Sequence, residues 1–307
     1  MLGQEVTETT EKYPLFPSCP NKGQGKSQST QRVLHQLQRL SRFLLVVYAF
    51  LCIGMMALEG YLVYPIPNST PTSSSNPTIE DIHIVTEDGI KLHGLYFSHP
   101  NPQYRILYCH GNGEDVSHNR NFVAKLRDSL QASILLFDYR GYGKSEGAPF
   151  EAGLIQDGLA AQTWLAKRTN CLPHDIVLWG RSLGGGIAVA IAQQQGARAL
   201  ILQNTFHDMT EVAASKFPWL PVRWIMRNRF PSIERIQQYQ GPLLQCHGTA
   251  DQVIPYPMGQ KLFKAAPSQK KMFLKIVHGG HNDPAPAAFL EALPEFLKTL
   301  PERSGDH

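Results

Sequence analysis

The sequence is poor in cysteine and in charge. Its five Cys, at 19, 52, 109, 171 and 246 of 307 residues, are odd in number and widely scattered. No pair has CxxC spacing, which argues against a disulfide scaffold or a structural zinc site. Cys109 and Cys246 each end an apolar run, where a free thiol behaves as a small buried hydrophobe. The histidines lack HExxH or comparable spacing, so no metal site is expected. Gly143-Lys144-Ser145 lacks the upstream glycine of a phosphate loop, and no nucleotide or other cofactor is expected. Charged residues make up 18% of the chain, with a formal net charge of +4. Six Lys or Arg against three Glu lie within residues 1–42, which leaves residues 43–307 nearly neutral. That balance denies the folded part the basic face a nucleic-acid partner requires. Hydrophobic residues at 42%, with Gly and Pro dispersed, exclude collagen, coiled coil and disorder throughout. The length suits one large α/β domain.

What is present begins with a polar N-terminus. Residues 1–31 show no hydrophobic periodicity, and residues 1–42 are expected to form a disordered basic tail. Phe43 to Leu58 then runs sixteen residues without a charge, and apolar character continues past Glu59 to Tyr64. At about 1.5 Å per residue, some twenty residues cross a bilayer core, so residues 43–64 are predicted to be a transmembrane anchor. Glu59 then sits near the far interface, where Tyr61 and Tyr64 join an aromatic belt. Arg32, Arg39 and Arg42 flank the near side, while the far side has no Lys or Arg until Lys91. The positive-inside rule therefore expects a cytoplasmic N-terminus and a catalytic domain on the lumenal, periplasmic or extracellular side. A cleaved signal peptide fits less well, because its n-region would be 42 residues long and no A-x-A site follows. Residues 65–79, rich in Pro, Ser and Thr, read as a linker with a formal glycosylation sequon at Asn68.

From residue 80 to 303, short β-rich runs alternate with helical stretches. Asp81–Glu87 and Lys91–Phe97 flank Asp88-Gly89, a hairpin signal. Further runs at 105–109, 132–137, 176–179, 199–202, 243–246 and 272–277 are mostly apolar throughout, as strands covered on both faces must be. Helices are predicted at 151–167, 183–195 and 287–300, the last with Phe289, Leu293 and Phe296 on one face. The alternation implies an α/β fold, a mostly parallel eight-stranded sheet flanked by helices.

Gly180-Arg181-Ser182-Leu183-Gly184 follows a strand and precedes a small-residue helix, the context a G-x-S-x-G nucleophile elbow requires. A serine hydroxyl needs a base to take its proton, and an acid to orient that base, expected in the chain order Ser, acid, His. Asp251 and His281 occupy loops after later strands, at the sheet edge where Ser182 lies. His278 remains the rival base. Asp157 falls within a helix, Asp208 follows an earlier strand, Asp283 is too near His281 in sequence, and His247 reads as a strand end. The Leu183 amide is one expected oxyanion donor, and the loop His110-Gly111-Asn112-Gly113 is the candidate for the second. The Gly-rich turn 138–145 reads as structural. A lid is expected over about 207–240. Within it Phe217 to Met226 holds Trp219 and Trp224, readable as core or as an apolar cap binding an acyl substrate.

HGNG at 110–113, DYRGYGKSEG at 138–147, GRSLGG at 180–185, QNTF at 203–206 and GGHND at 279–283 agree in order and spacing with a known family. The chain resembles the membrane-anchored α/β hydrolases that include animal alpha/beta hydrolase domain-containing protein 13 and the fungal bud-emergence hydrolases, over about residues 60–300. The resemblance implies a serine hydrolase with Ser182, Asp251 and His281 as its triad and with Asn112 and Leu183 giving the oxyanion amides. A lipophilic ester or thioester is the expected substrate. A peptidase, or a catalytically silent interaction protein on the same fold, is the alternative.

Overall fold

The computed structural model describes residues 24–66 and 78–302. Most of the expected tail before Gln24, most of the linker, the Asn68 sequon and Cys19 lie outside the described residues. The chain forms two compact units, Met1–Ile53 and Gly54–His307.

Helix α1 spans Gln24–Val63. The expected tail is thus helical from Gln24, because residues 26–42 contain no Gly or Pro and bring Val33, Leu37, Leu40 and Leu44 into helical spacing. Between Thr30 and Val63 it is long and apolar enough to cross a membrane. Its final turns, from Gly54 on, belong to the second unit. The domain therefore starts earlier than residue 80, with Glu59 and Tyr64 buried in it.

The sheet has eight strands: β1 (Ile79–Val85), β2 (Lys91–Phe97), β3 (Tyr104–Cys109), β4 (Ala132–Phe137), β5 (Val177–Arg181), β6 (Ala199–Gln203), β7 (Leu243–Gly248) and β8 (Lys271–Ile276). Their order is β1-β2-β4-β3-β5-β6-β7-β8. The β1–β2 and β2–β4 pairings are antiparallel, and every other pairing is parallel. Strands β3 to β7 carry the apolar runs expected of strands covered on both faces.

Among the described residues eight α-helices follow α1: α2 (Val116–Ser129), α3 (Glu151–Arg168), α4 (Leu183–Gln195), α5 (Met209–Lys216), α6 (Val222–Ile225), α7 (Ser232–Arg235), α8 (Tyr256–Ala265) and α9 (Ala287–Lys298). Alternate strand residues face opposite sides, which divides the core in two. Leu107, Leu178 and Leu200 pack on one face with Leu154 and Leu165 of α3 and Ile187 of α4. Ile106, Trp179 and Ile201 pack on the other with Val123 of α2 and with Phe289, Leu293 and Phe296 of α9. Helices α5 to α7 occupy the expected lid interval between β6 and β7. Cys109 and Cys246 are buried free thiols. Burial pushes the Cys246 thiol up to about 12.

Candidate active site

At the β5–α4 junction the chain reverses so tightly that Ser182 adopts φ 52° and ψ −118°, a strained conformation for a residue with a Cβ. Two glycines make this possible. A Cβ on Gly180 would strike the backbone of Gly184 and Gly185, and one on Gly184 the carbonyl of Cys109. The elbow is tied down from β6, since the Ser182 amide donates to Gln203 O at 2.9 Å and Thr205 Oγ1 donates to Ser182 O at 2.8 Å.

His281 stands in the loop after β8, and its Nε2 lies 3.0 Å from Ser182 Oγ. Its Nδ1 lies 2.7 Å from Oδ2 of Asp251, in the loop after β7. The second Asp251 oxygen accepts the amides of Val253 and Ile254 at 2.9 and 2.8 Å. Burial alone would raise the Asp251 carboxyl. Contacts with His247 and His281 and the Ile254 amide more than offset it, and hold the group below the usual carboxylate range. The nitrogen facing Ser182 is therefore the one free to accept a proton when Nδ1–H points at the carboxylate. His278 is exposed, with φ 60°, and its amide donates to Thr249 Oγ1. His281, and not the rival, reaches Ser182.

Leu183 opens α4, where the first amides of a helix have no intrahelical acceptor. It lines one cavity with Asn112, Ser182 and His281. The Gly111 amide is engaged by Glu114 Oε2 at 3.1 Å. The Asn112 side chain is engaged on both ends: Nδ2 donates to Val63 O at 2.5 Å, and Oδ1 accepts from Tyr142 OH at 2.6 Å.

Several residues at the site were not read from the sequence as functional. Arg181 pairs with Glu114 and donates from Nη2 to His281 O at 3.1 Å. Asn204 donates to the carbonyls of Gly280 and His281 and accepts the Gly248 amide at 3.0 Å. His247, taken for a strand end, sits 3.4 Å from Asp251 with its Nε2 against Ile254 O at 2.9 Å. Arg181 and Asn204 lie in the motifs GRSLGG and QNTF, and His247 lies four residues before Asp251, but only the fold brings the first two onto the loop of His281 and the third against Asp251.

Trp219 and Trp224 need correction. They are 54% and 88% exposed and do not line the cavity. Helix α6 is a single turn, so turning Val222, Ile225 and Met226 inward leaves Trp224 on the outer side. The turn at 138–145 is structural, as expected. Asp138 receives the Val116 amide at 2.8 Å and contacts His93 Nδ1, while Arg140 joins Asp157 to Asp88. Among the described residues, no cluster of His, Cys, Asp or Glu could hold a metal ion.

The family model described as the alpha/beta hydrolase fold matches residues 104–232. An uncharacterised protein of Mycobacterium tuberculosis is 37% identical over 242 residues, covering 77% of this chain and 85% of that protein. Alpha/beta hydrolase domain-containing protein WAV2 of Arabidopsis thaliana is 30% identical over 258 residues, covering 75% of this chain and 83% of that protein. The chain belongs to the α/β hydrolase family. Among solved structures this α/β hydrolase resembles in fold the Pyrococcus furiosus esterase Pf2001, with a TM-score of 0.62 and 19% identity over 76% of this chain and 99% of that one. A thermophilic esterase from Thermogutta terrifontis matches at a TM-score of 0.53 with 19% identity, over 71% of this chain and 98% of that one.

Proposed function

We propose that this α/β hydrolase is a membrane-anchored serine hydrolase that cleaves a carboxylic ester or thioester through an acyl-enzyme. The observation that carries this reading is the unbroken relay from Asp251 through His281 to Ser182, at 2.7 and 3.0 Å. Ser182 Oγ bonds to the acyl carbon as its proton passes to His281 Nε2. The amides of Leu183 and Asn112 meet the oxyanion. Collapse breaks the C–O or C–S bond, and the leaving group takes the proton from His281. Water then attacks the acyl-enzyme, giving its proton to His281. Ser182 departs with that proton, releasing the carboxylic acid. Asp251 stays ionised throughout, holding the imidazole in one tautomer. That two of its fold neighbours are esterases agrees with this chemistry.

Within the family we assign it to the group with a single N-terminal span, resembling alpha/beta hydrolase domain-containing protein 13 and the bud-emergence hydrolases. Arg32, Arg39 and Arg42 before the apolar run support a cytoplasmic N-terminus and a catalytic domain on the opposite side. The deciding experiment is labelling with a fluorophosphonate probe: the wild-type protein is expected to label and Ser182→Ala to remain blank. Equal labelling of both would remove Ser182 as nucleophile.

A further inference from the structure

The cavity in front of Ser182 has a volume of about 410 Å³, within the range of small-molecule sites. One wall comes from the lid, with Val212, Leu220 and Ile225. Another part of the lining comes from the last turns of α1, with Met55, Met56 and Val63. Those turns belong to the same compact unit as the nucleophile. They are held there by polar contacts that an apolar helix end does not ordinarily make. Glu59 Oε1 accepts the amides of Arg227 and Asn228 at 2.9 and 2.8 Å and the Asn228 side chain at 2.9 Å. Tyr64 OH donates to Asn228 Oδ1 at 2.8 Å.

The length of the apolar run fixes the depth of this wall. From Phe43 to Ile53 the helix offers eleven uncharged residues, about 16 Å of rise, against a hydrocarbon core of about 30 Å. The missing length must come from the turns after Gly54, whose outward residues Ala57, Leu58 and Tyr61 are exposed and apolar. These turns then present Ala57, Leu58 and Tyr61 to the hydrocarbon on one side and Met55 and Met56 to the catalytic cavity on the other.

Resting on the serine-hydrolase reading, we infer that the anchor is part of the substrate site: the cavity takes the long acyl chain of a bilayer-resident ester or thioester, which enters from the lipid beside the last turns of α1. An enzyme whose membrane helix is only a tether would have no such wall.

The test uses the full chain reconstituted in phosphatidylcholine vesicles, with p-nitrophenyl palmitate dissolved in the bilayer and p-nitrophenyl butyrate in the water. The readout is the ratio of the two hydrolysis rates. Met55→Trp should lower the palmitate-to-butyrate ratio by about tenfold or more, the scale on which a pocket rejects a chain that no longer fits. The milder Met55→Phe should lower it less, and serves if the larger side chain prevents folding, as judged by fluorophosphonate labelling. Val212→Trp in the lid lining should act in the same direction, and Tyr61→Ala, on the outward face, should leave the ratio as in wild type. Diluting palmitate ester with more phosphatidylcholine at constant bulk concentration should slow its hydrolysis. Parallel N-acetylcysteamine thioesters of both chain lengths sort the leaving group, and the same ratio change is required of them. An unchanged ratio in both Met55 variants, or a rate indifferent to surface dilution, overturns the inference. If wild type neither labels nor hydrolyses any of these compounds, the serine-hydrolase reading fails instead.

Discussion

At the scale of single residues, chemistry concentrates on one hydrogen-bonded line. Because the three groups act as a unit, Ser182→Ala should lower turnover by about 10⁴ to 10⁶ while the fold survives. His281→Ala should nearly abolish ester hydrolysis and His278→Ala should keep most of it, since only the first reaches Ser182. A general disturbance of their shared loop would harm both alike, so assaying the pair separates base from bystander. Asp251→Asn should slow ester hydrolysis by orders of magnitude, because the carboxylate that holds the imidazole in its working tautomer is gone. The same carboxyl links to stability with a definite sign. Its native form titrates below its ordinary value, so it stabilises the fold above about pH 4 and loses that contribution as pH falls through its native value. Acid unfolding followed by circular dichroism should therefore be less steep in Asp251→Asn. Ser182, Asp251 and His281 were legible in the sequence because each follows a strand in the required order. Arg181, Asn204 and His247 were not, because their work is to hold carbonyls and a carboxylate in loops that are distant in sequence.

At the scale of elements, the sheet was readable wherever burial on both faces writes an uninterrupted apolar run. Strands β3 to β7 lie within a residue or two of their expected limits. Helices α2 and α8 escaped notice for local reasons. The first is mostly polar and shows only Val116, Asn119, Val123 and Leu126 to the core. The second carries Pro257 in its first turn and contains Gly259, residues that punctuate turns. Lid helix α6 misled because one turn can expose its bulkiest residue. The junction of β5 and α4 makes the sharpest prediction about elements. Gly184→Ala drives a methyl into the Cys109 backbone, where nothing flexible can yield, and should cost about 1–3 kcal/mol of stability. In chemical denaturation that appears as a lower midpoint at unchanged slope. Leu293→Ala on α9, which empties a fully buried site, should cost about 2–5 kcal/mol and leave the elbow's geometry and its probe labelling in place.

At the scale of the whole molecule, three Arg on one flank of the apolar run and none near the other predict a protease-protection pattern. In sealed vesicles whose interior is the cytoplasmic side, protease should reach the catalytic domain at once, and the tail before Arg42 only after permeabilisation. Protection of the domain with cleavage of the tail would reverse the orientation. The buried carboxylate at the end of α1 bears on how this protein can be handled in water. Cutting the chain at residue 80, where the sheet begins, would strip Glu59 from the amides of Arg227 and Asn228 and bare one side of the cavity. Of these two, Asn228 is buried, and leaving its amide without an acceptor costs about 1–3 kcal/mol. A water-soluble version is better made by starting the chain at Gly54 and repainting the outward positions Ala57, Leu58 and Tyr61 with polar side chains, so that the greasy face is lost and the carboxylate stays.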